Sequence, residues 1–205
     1  DGMLEDFQMP NTPIITKPIP APGRTHETSP VQILPNGEKI YKKSCALCHN
    51  NTELFPSIHG QNKQYLINQL EEFKHETRID SVMYFYTRTT LQSESDIHDV
   101  ADYLSKQNRC DVYNKTTKVT LDDKTHTPNL ENGKSLFQSC TSCHSTDNSI
   151  FPIIHGQNPN YTIKTLEELK SQHRPSNTMK FMLGTIDKQG MVDLAVYLES
   201  ESGCE

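Results

Sequence analysis

Apolar residues recur at helical spacing near the ends of two stretches of the chain. Ile97, Val100, Ala101 and Leu104 follow the i, i+3, i+4, i+7 rule, and Met191, Leu194, Ala195 and Leu198 follow it again. Each set predicts an amphipathic helix with one buried face. Upstream of the first stripe the pattern predicts a helix to Cys45, a loop through His59, a helix near Lys63 to Lys74, a loop carrying Met83, and a closing helix near Glu94 to Gln107. Pro128 and Asn129 are helix-start signals that open a second set in the same order. Strand content is expected to be negligible, so the fold class is all-α. Residues 1–34, centred on "MPNTPIITKPIPAPG", have neither period and predict an extended, polyproline-like arm. The expected organisation is therefore an arm over 1–34, a module over 35–111, a connector over 112–128 ("VYNKTTKVTLDDKTHTP") and a second module over 129–205.

The two modules are an internal repeat. Phe55 and Pro56 recur as Phe151 and Pro152, and "IHGQN" at 58–62 recurs intact at 154–158. Tyr65, Leu70, Arg78 and Met83 are matched by Tyr161, Leu166, Arg174 and Met179, all at one offset (155 − 59 = 96). Within the repeat lie "CALCH" at 45–49 and "CTSCH" at 140–144. Two cysteines three apart suit a zinc half-site, a redox dithiol or a covalently held c-type haem, and the adjacent histidine narrows the choice. Zinc needs four ligands closed around one metal, and no second pair stands nearby at finger-like spacing. A redox dithiol follows a strand in a βαβ pattern, whereas the flanks here read as short helices. In the haem reading Cys45 and Cys48, and again Cys140 and Cys143, form thioethers to the porphyrin, while His49 and His144 are the proximal iron ligands.

Composition fits this reading. Hydrophobic residues make up 33% of the 205, and mean hydropathy is −0.69. Modules of this size have marginal cores, and an embedded haem adds apolar mass. No apolar run reaches the length of a membrane span. The net charge of −6 argues against nucleic acid as a partner. The chain begins at Asp1 rather than Met, consistent with a cleaved secretory leader. Six cysteines leave two outside the motifs, Cys110 and Cys204. Each lies seven residues beyond a tyrosine of its closing helix, Tyr103 or Tyr197. A disulfide between them would tie the modules together in an oxidising compartment; two independent surface thiols are the alternative.

The two C-x-x-C-H motifs, "PSIHGQNKQY" and "PIIHGQNPNY", "RIDSVM" and "RPSNTM", and the closing "ADYL" and "AVYL" together resemble a tandem dihaem class I cytochrome c, and are most similar to the cytochrome c4 family. The resemblance covers most of 36–201. It implies two cytochrome domains related by a pseudo-twofold axis, two covalently bound haem c groups, and Met83 and Met179 as sixth iron ligands. Met182 competes with Met179, whereas Met191 belongs to the helical stripe and is expected in the core. Arg78 and Arg174 are candidates for haem propionate contacts, an exposed surface position being the default. Tyr65 and Tyr161 are expected to pack helices. His59 and His155 stand where the family commonly has a small residue, and are expected to pack near a haem edge or bond a propionate. His26, His75, His98, His126 and His173 show no ligand spacing and are expected at the surface.

The implied function is electron transfer without catalysis. The protein would carry single electrons in the bacterial periplasm, soluble or peripherally bound to the inner membrane. The donor would be a dehydrogenase or quinol-oxidising complex and the acceptor a terminal oxidase or reductase. One alternative is an electron-transfer subunit of a larger redox complex, with the N-terminal arm binding a partner subunit. The other is a dihaem enzyme of peroxidase or thiosulfate-oxidising type, which the symmetry of the halves disfavours.

Overall fold

Side-chain caps set most of the helix boundaries in the computed structural model, which describes residues 35–50, 55–111, 121–122, 124–145 and 148–202. The N-terminal arm, most of the connector and Cys204 lie outside the described residues. In the first module, α1 (Pro35–Ile40) runs through a π-helical turn (Tyr41–Cys45) into α2 (Ala46–His49). α3 (Lys63–Lys74) follows, then α4 (Ser81–Thr90) and α5 (Glu94–Ser105). Asp80 caps α4 by accepting from the Val82 and Met83 amides. A reciprocal capping box between Ser93 and Asp96 starts α5.

In the second module the order is α6 (Leu130–Phe137), α7 (Pro159–Ser171), α8 (Asn177–Met182) and α9 (Lys188–Ser200). Asn129 caps α6 as expected. Asn158 caps α7 with Pro159 beginning the helix, where its missing N–H costs nothing. There is no strand among the described residues, so the chain is all-α. The expected methionine loop is corrected in both modules: Met83 and Met179 lie in the first turns of α4 and α8, because Asp80 and Ser176 supply N-caps directly upstream.

Each module has its own core, and both helical stripes are buried in full. Ile97, Val100, Ala101 and Leu104 of α5 meet Tyr41, Leu66, Ile67 and Leu91. Met191, Leu194 and Leu198 of α9 meet Phe137, Leu166, Leu169, Leu183 and Ile186. On the other side of α9, Val192 and Ala195 pack with Ile163, and Leu121 of the connector rests against them. α1 crosses α5, and α6 crosses α9, at a glycine in each case. A Cβ on Gly37 would stand 2.1 Å from the Asp99 carbonyl oxygen, and one on Gly133 2.2 Å from that of Asp193.

The modules meet along a seam within one compact unit spanning 33–205. Several contacts across it come in matched pairs. Gln61 Nε2 donates to the Ile153 carbonyl at 2.8 Å and Gln157 Nε2 to the Ser57 carbonyl at 3.1 Å. The Ile153 amide donates back to Gln61 Oε1 and the Ser57 amide to Gln157 Oε1, both at 2.8 Å. Arg78 Nη2 donates to the Tyr161 hydroxyl at 3.3 Å, and Arg174 Nη2 to the Tyr65 hydroxyl at 2.9 Å. When residue i of one half meets j of the other and j meets i, the halves are related by a twofold operation; here that operation is carried by the repeat inside one chain.

Candidate functional site

Both motif histidines are buried, His49 at 9% exposure and His144 at 7%. In each, Nδ1 faces a proline carbonyl: Pro56 at 3.0 Å for His49 and Pro152 at 2.8 Å for His144. A carbonyl can only accept, so Nδ1 carries the proton and Nε2 keeps its lone pair. Burial holds the pKa of both rings below the ordinary value, although the proline carbonyls pull the other way. A neutral imidazole, oriented through Nδ1 by a backbone carbonyl, is the form that ligates a metal.

The cysteines suit attachment better than exchange chemistry. Cys45 packs against the first core and Cys140 against the second. Burial, with Cys48 adding to it, pushes the Cys45 thiol up to about 11, and burial also raises Cys140. A redox dithiol needs a depressed pKa to furnish thiolate, so that reading loses its basis. Among the described residues no three His, Cys, Asp or Glu side chains gather as a metal-binding group, as a closed zinc site requires. What remains is a donor set of one neutral imidazole beside two cysteines, twice over, with an aromatic ring next to each histidine: Phe55 at 6.4 Å from His49 and Phe151 at 6.2 Å from His144. That set fits a covalently held haem c in each module.

Met191 is core at 4% exposure and Met182 is 39% exposed. Met179 is half-buried and packs against the same core cluster as Cys140 and Ile154. Met83 is half-buried at the start of α4. Its cap, Asp80, favours the charged form of the His49 ring.

The default of an exposed surface position for the two arginines is corrected. Arg78 and Arg174 are not exposed; both turn into the seam, where Gln69 Oε1 accepts from Arg78 Nη1 at 2.5 Å and from Arg174 Nη2 at 2.7 Å. Arg78 also lies over the Phe73 ring, 4.4 Å from its centroid. Tyr65 and Tyr161, expected to pack helices, each accept a hydrogen bond from the opposite module's arginine. Burial alone would raise Tyr161, but Arg78 and Arg174 outweigh it and bring its pKa below the ordinary value. His59 is buried against Tyr41, ring centroids 5.0 Å apart, and His155 meets Phe137 edge-on at 4.8 Å. Both ring nitrogens of His59 are buried, and burial lowers its pKa. His75, His98 and His173 are exposed and His126 is half-buried. Cys110 is in a disulfide, whereas Cys45, Cys48, Cys140 and Cys143 form none; Cys204 lies outside the described residues.

Sequence reasoning assigned no role to Pro56, Pro152, Gln61 or Gln157, although all four recur in the repeat. A histidine with a proline seven or eight residues on was the available signal for the carbonyl contact.

Known proteins match the same features. The profile of the family described as cytochrome c oxidase, cbb3-type, subunit III, matches residues 33–104. Cytochrome c4 of Pseudomonas aeruginosa is 27% identical over 172 residues, covering 74% of this chain and 79% of that protein. The cytochrome subunit of sulfide dehydrogenase from Chlorobaculum tepidum is 35% identical over 77 residues, 34% of this chain and 68% of that protein. Among solved structures, cytochrome c4 of Acidithiobacillus ferrooxidans superposes with a TM-score of 0.61 at 25% identity, over 77% of this chain and 98% of the other. With two C-x-x-C-H motifs, two histidines in matching settings and an all-helical fold, the chain belongs to the dihaem class I c-type cytochromes, carries two covalently bound haem c groups, and is similar to the cytochrome c4 family.

Proposed function

We propose that this cytochrome carries single electrons in the periplasm between a donor dehydrogenase or quinol-oxidising complex and a terminal oxidase or reductase. Its axial ligands would be His49 and Met83 in a module over 35–111, and His144 and Met179 in a module over 129–205. Haem c bound there supplies a one-electron iron couple, and the residues around it determine what that couple does. Cys45, Cys48, Cys140 and Cys143 fix it covalently, so the carrier does not lose it between partners. His49 and His144 present Nε2 from rings that the proline carbonyls hold in one tautomer. Met83 and Met179 would contribute a soft, neutral thioether, which would favour ferrous iron and close the iron to small ligands.

The observation that carries the reading is the equivalence of the two histidine settings, each buried and each bonded through Nδ1 to the corresponding proline. A dihaem enzyme needs one iron with a labile or different ligand, whereas both motif histidines are buried and bonded through Nδ1 in the same way. The match to the cytochrome subunit of a sulfide dehydrogenase supports a second reading, in which the same electron transfer occurs inside a larger complex. Pairing of Cys110 with Cys204 is proposed as a tie between the modules, since Cys110 is already disulfide-bonded.

Near-infrared magnetic circular dichroism of the oxidised protein tests the ligand set. Two histidine–methionine signatures are expected, one lost in Met83→Ala and the other in Met179→Ala. A high-spin or bis-histidine haem in the unchanged protein would refute the carrier reading.

A further inference from the structure

The seam glutamines contact the peptides that hold the histidines. Pro56 C=O and Ser57 N–H belong to one amide group. Its oxygen accepts from His49 Nδ1 at 3.0 Å, and its N–H donates to Gln157 Oε1 at 2.8 Å. The other half repeats this: the Pro152–Ile153 amide accepts from His144 Nδ1 at 2.8 Å and donates to Gln61 Oε1 at 2.8 Å. Each chain of hydrogen bonds therefore begins on one module and ends on the other module's histidine. The glutamines are aimed by their own loops. Gly60 and Gly156 take positive φ, +63° and +65°. Their amides are anchored to the Leu104 and Leu198 carbonyls, which turns each following glutamine across the seam. Each Oε1 also accepts from the next residue's amide, Asn62 or Asn158, so its orientation is fixed.

We propose that Gln157 is a positioning residue for the haem of the first module and Gln61 for that of the second, each polarising the opposite module's His–Pro hydrogen bond through a shared amide. This rests on His49 and His144 as iron ligands. An amide whose N–H is bonded is a better acceptor at its oxygen, and chains of this kind strengthen each bond by roughly 10–30%. A stronger acceptor at Nδ1 makes the imidazole a richer donor through Nε2, which favours ferric iron and lowers the potential. The two potentials are thus crossed: each depends on a side chain from the other half.

Gluing the halves together is the competing role, and the crossing separates the two. The test is the holoprotein labelled with 15N-histidine, reduced to the diamagnetic state, with ring Nδ1–H shifts read by NMR and both potentials by spectroelectrochemical titration. In Gln157→Leu the His49 signal should move upfield while that of His144 stays. The first-module redox equilibrium should shift about threefold toward ferrous iron, ~30 mV at 59 mV per tenfold for one electron. Gln61→Leu should do the reverse. Gln157→Glu keeps an acceptor for Ser57 N–H and makes it anionic, so it should move the His49 signal downfield; this variant decides the matter even where the leucine variants do not fold. Equal shifts at both histidines, or a shift confined to the variant's own module, overturn the crossed relay and leave the ligands standing. Absence of both hydrogen-bonded ring signals in the unchanged protein overturns the ligand assignment and the relay with it.

Discussion

Aligned by the repeat, Asp80 of the first half corresponds to Ser176 of the second (176 − 80 = 96). Both cap the helix that carries the methionine, but Asp80 can also place a negative charge near His49. A carboxylate stabilises the more positive ferric state, so the first haem should have the lower potential of the two. Asp80→Asn keeps a good N-cap while removing the charge. The expected result is a rise of a few tens of millivolts, the scale of a solvent-screened unit charge, in the first-module potential alone, read in a two-step spectroelectrochemical titration. The attachment residues were legible because C-x-x-C-H is a local pattern whose chemistry depends on spacing within one turn. The orienting carbonyls were less so: a backbone oxygen has no sequence signature, and which one meets Nδ1 is decided by how the loop through Phe55 or Phe151 folds back.

The helices were legible where periodicity and caps agreed, as in the stripes of α5 and α9. Met83 and Met179 were expected in loops because α4 is unevenly apolar, with Val82 and Phe85 54% and 59% exposed, and α8 is very short; their caps were the better guide. The helix crossings were not legible at all, since a glycine inside "PNGEKI" or "LENGKS" reads as a weak point in a helix. Both are contact points. Alanine is favoured over glycine in a helix interior by about 1 kcal/mol, so propensity alone predicts that Gly37→Ala stabilises. The added Cβ, however, would lie 2.1 Å from the Asp99 oxygen and 2.6 Å from its carbon. Both are backbone atoms that no rotamer change can move, so α1 and α5 must part. Overpacking of this kind typically costs about 1–3 kcal/mol and should outweigh the propensity gain. Chemical denaturation of the holoprotein should therefore show Gly37→Ala, and likewise Gly133→Ala, destabilised; a higher midpoint in either would mean that the crossing tolerates a methyl group.

The repeat made two equivalent modules legible, but not the way they share a seam. Arg78 and Arg174 sit in polar surroundings in the sequence, and an arginine with no visible partner defaults to the surface; the partners, Tyr161 and Tyr65, stand 83 and 109 residues away. Gln69 accepts from both arginines, whereas its counterpart in the repeat is Thr165 (69 + 96 = 165), so the seam is not fully symmetric. Hydrogen bonds to a charged group contribute about 1.5–3 kcal/mol each, and an arginine left in the seam without acceptors would also carry the cost of its desolvation. Each core is small, and domains of this size are marginal alone, so the seam should make the modules unfold together. Differential scanning calorimetry should show one endotherm for the protein. Replacing both arginines, Arg78→Leu with Arg174→Leu, removes every arginine contact to the opposite module's tyrosine while leaving the Gln61 and Gln157 bridges. The transition should then fall in temperature and split into two, because the weaker half no longer draws on the stability of the other. If the double variant kept a single sharp transition, the arginine cluster would not be what couples the halves, and cooperativity would rest on the remaining ties: the proposed Cys110–Cys204 disulfide, the Asn62 contacts and the glutamine bridges that join each module to the other's histidine.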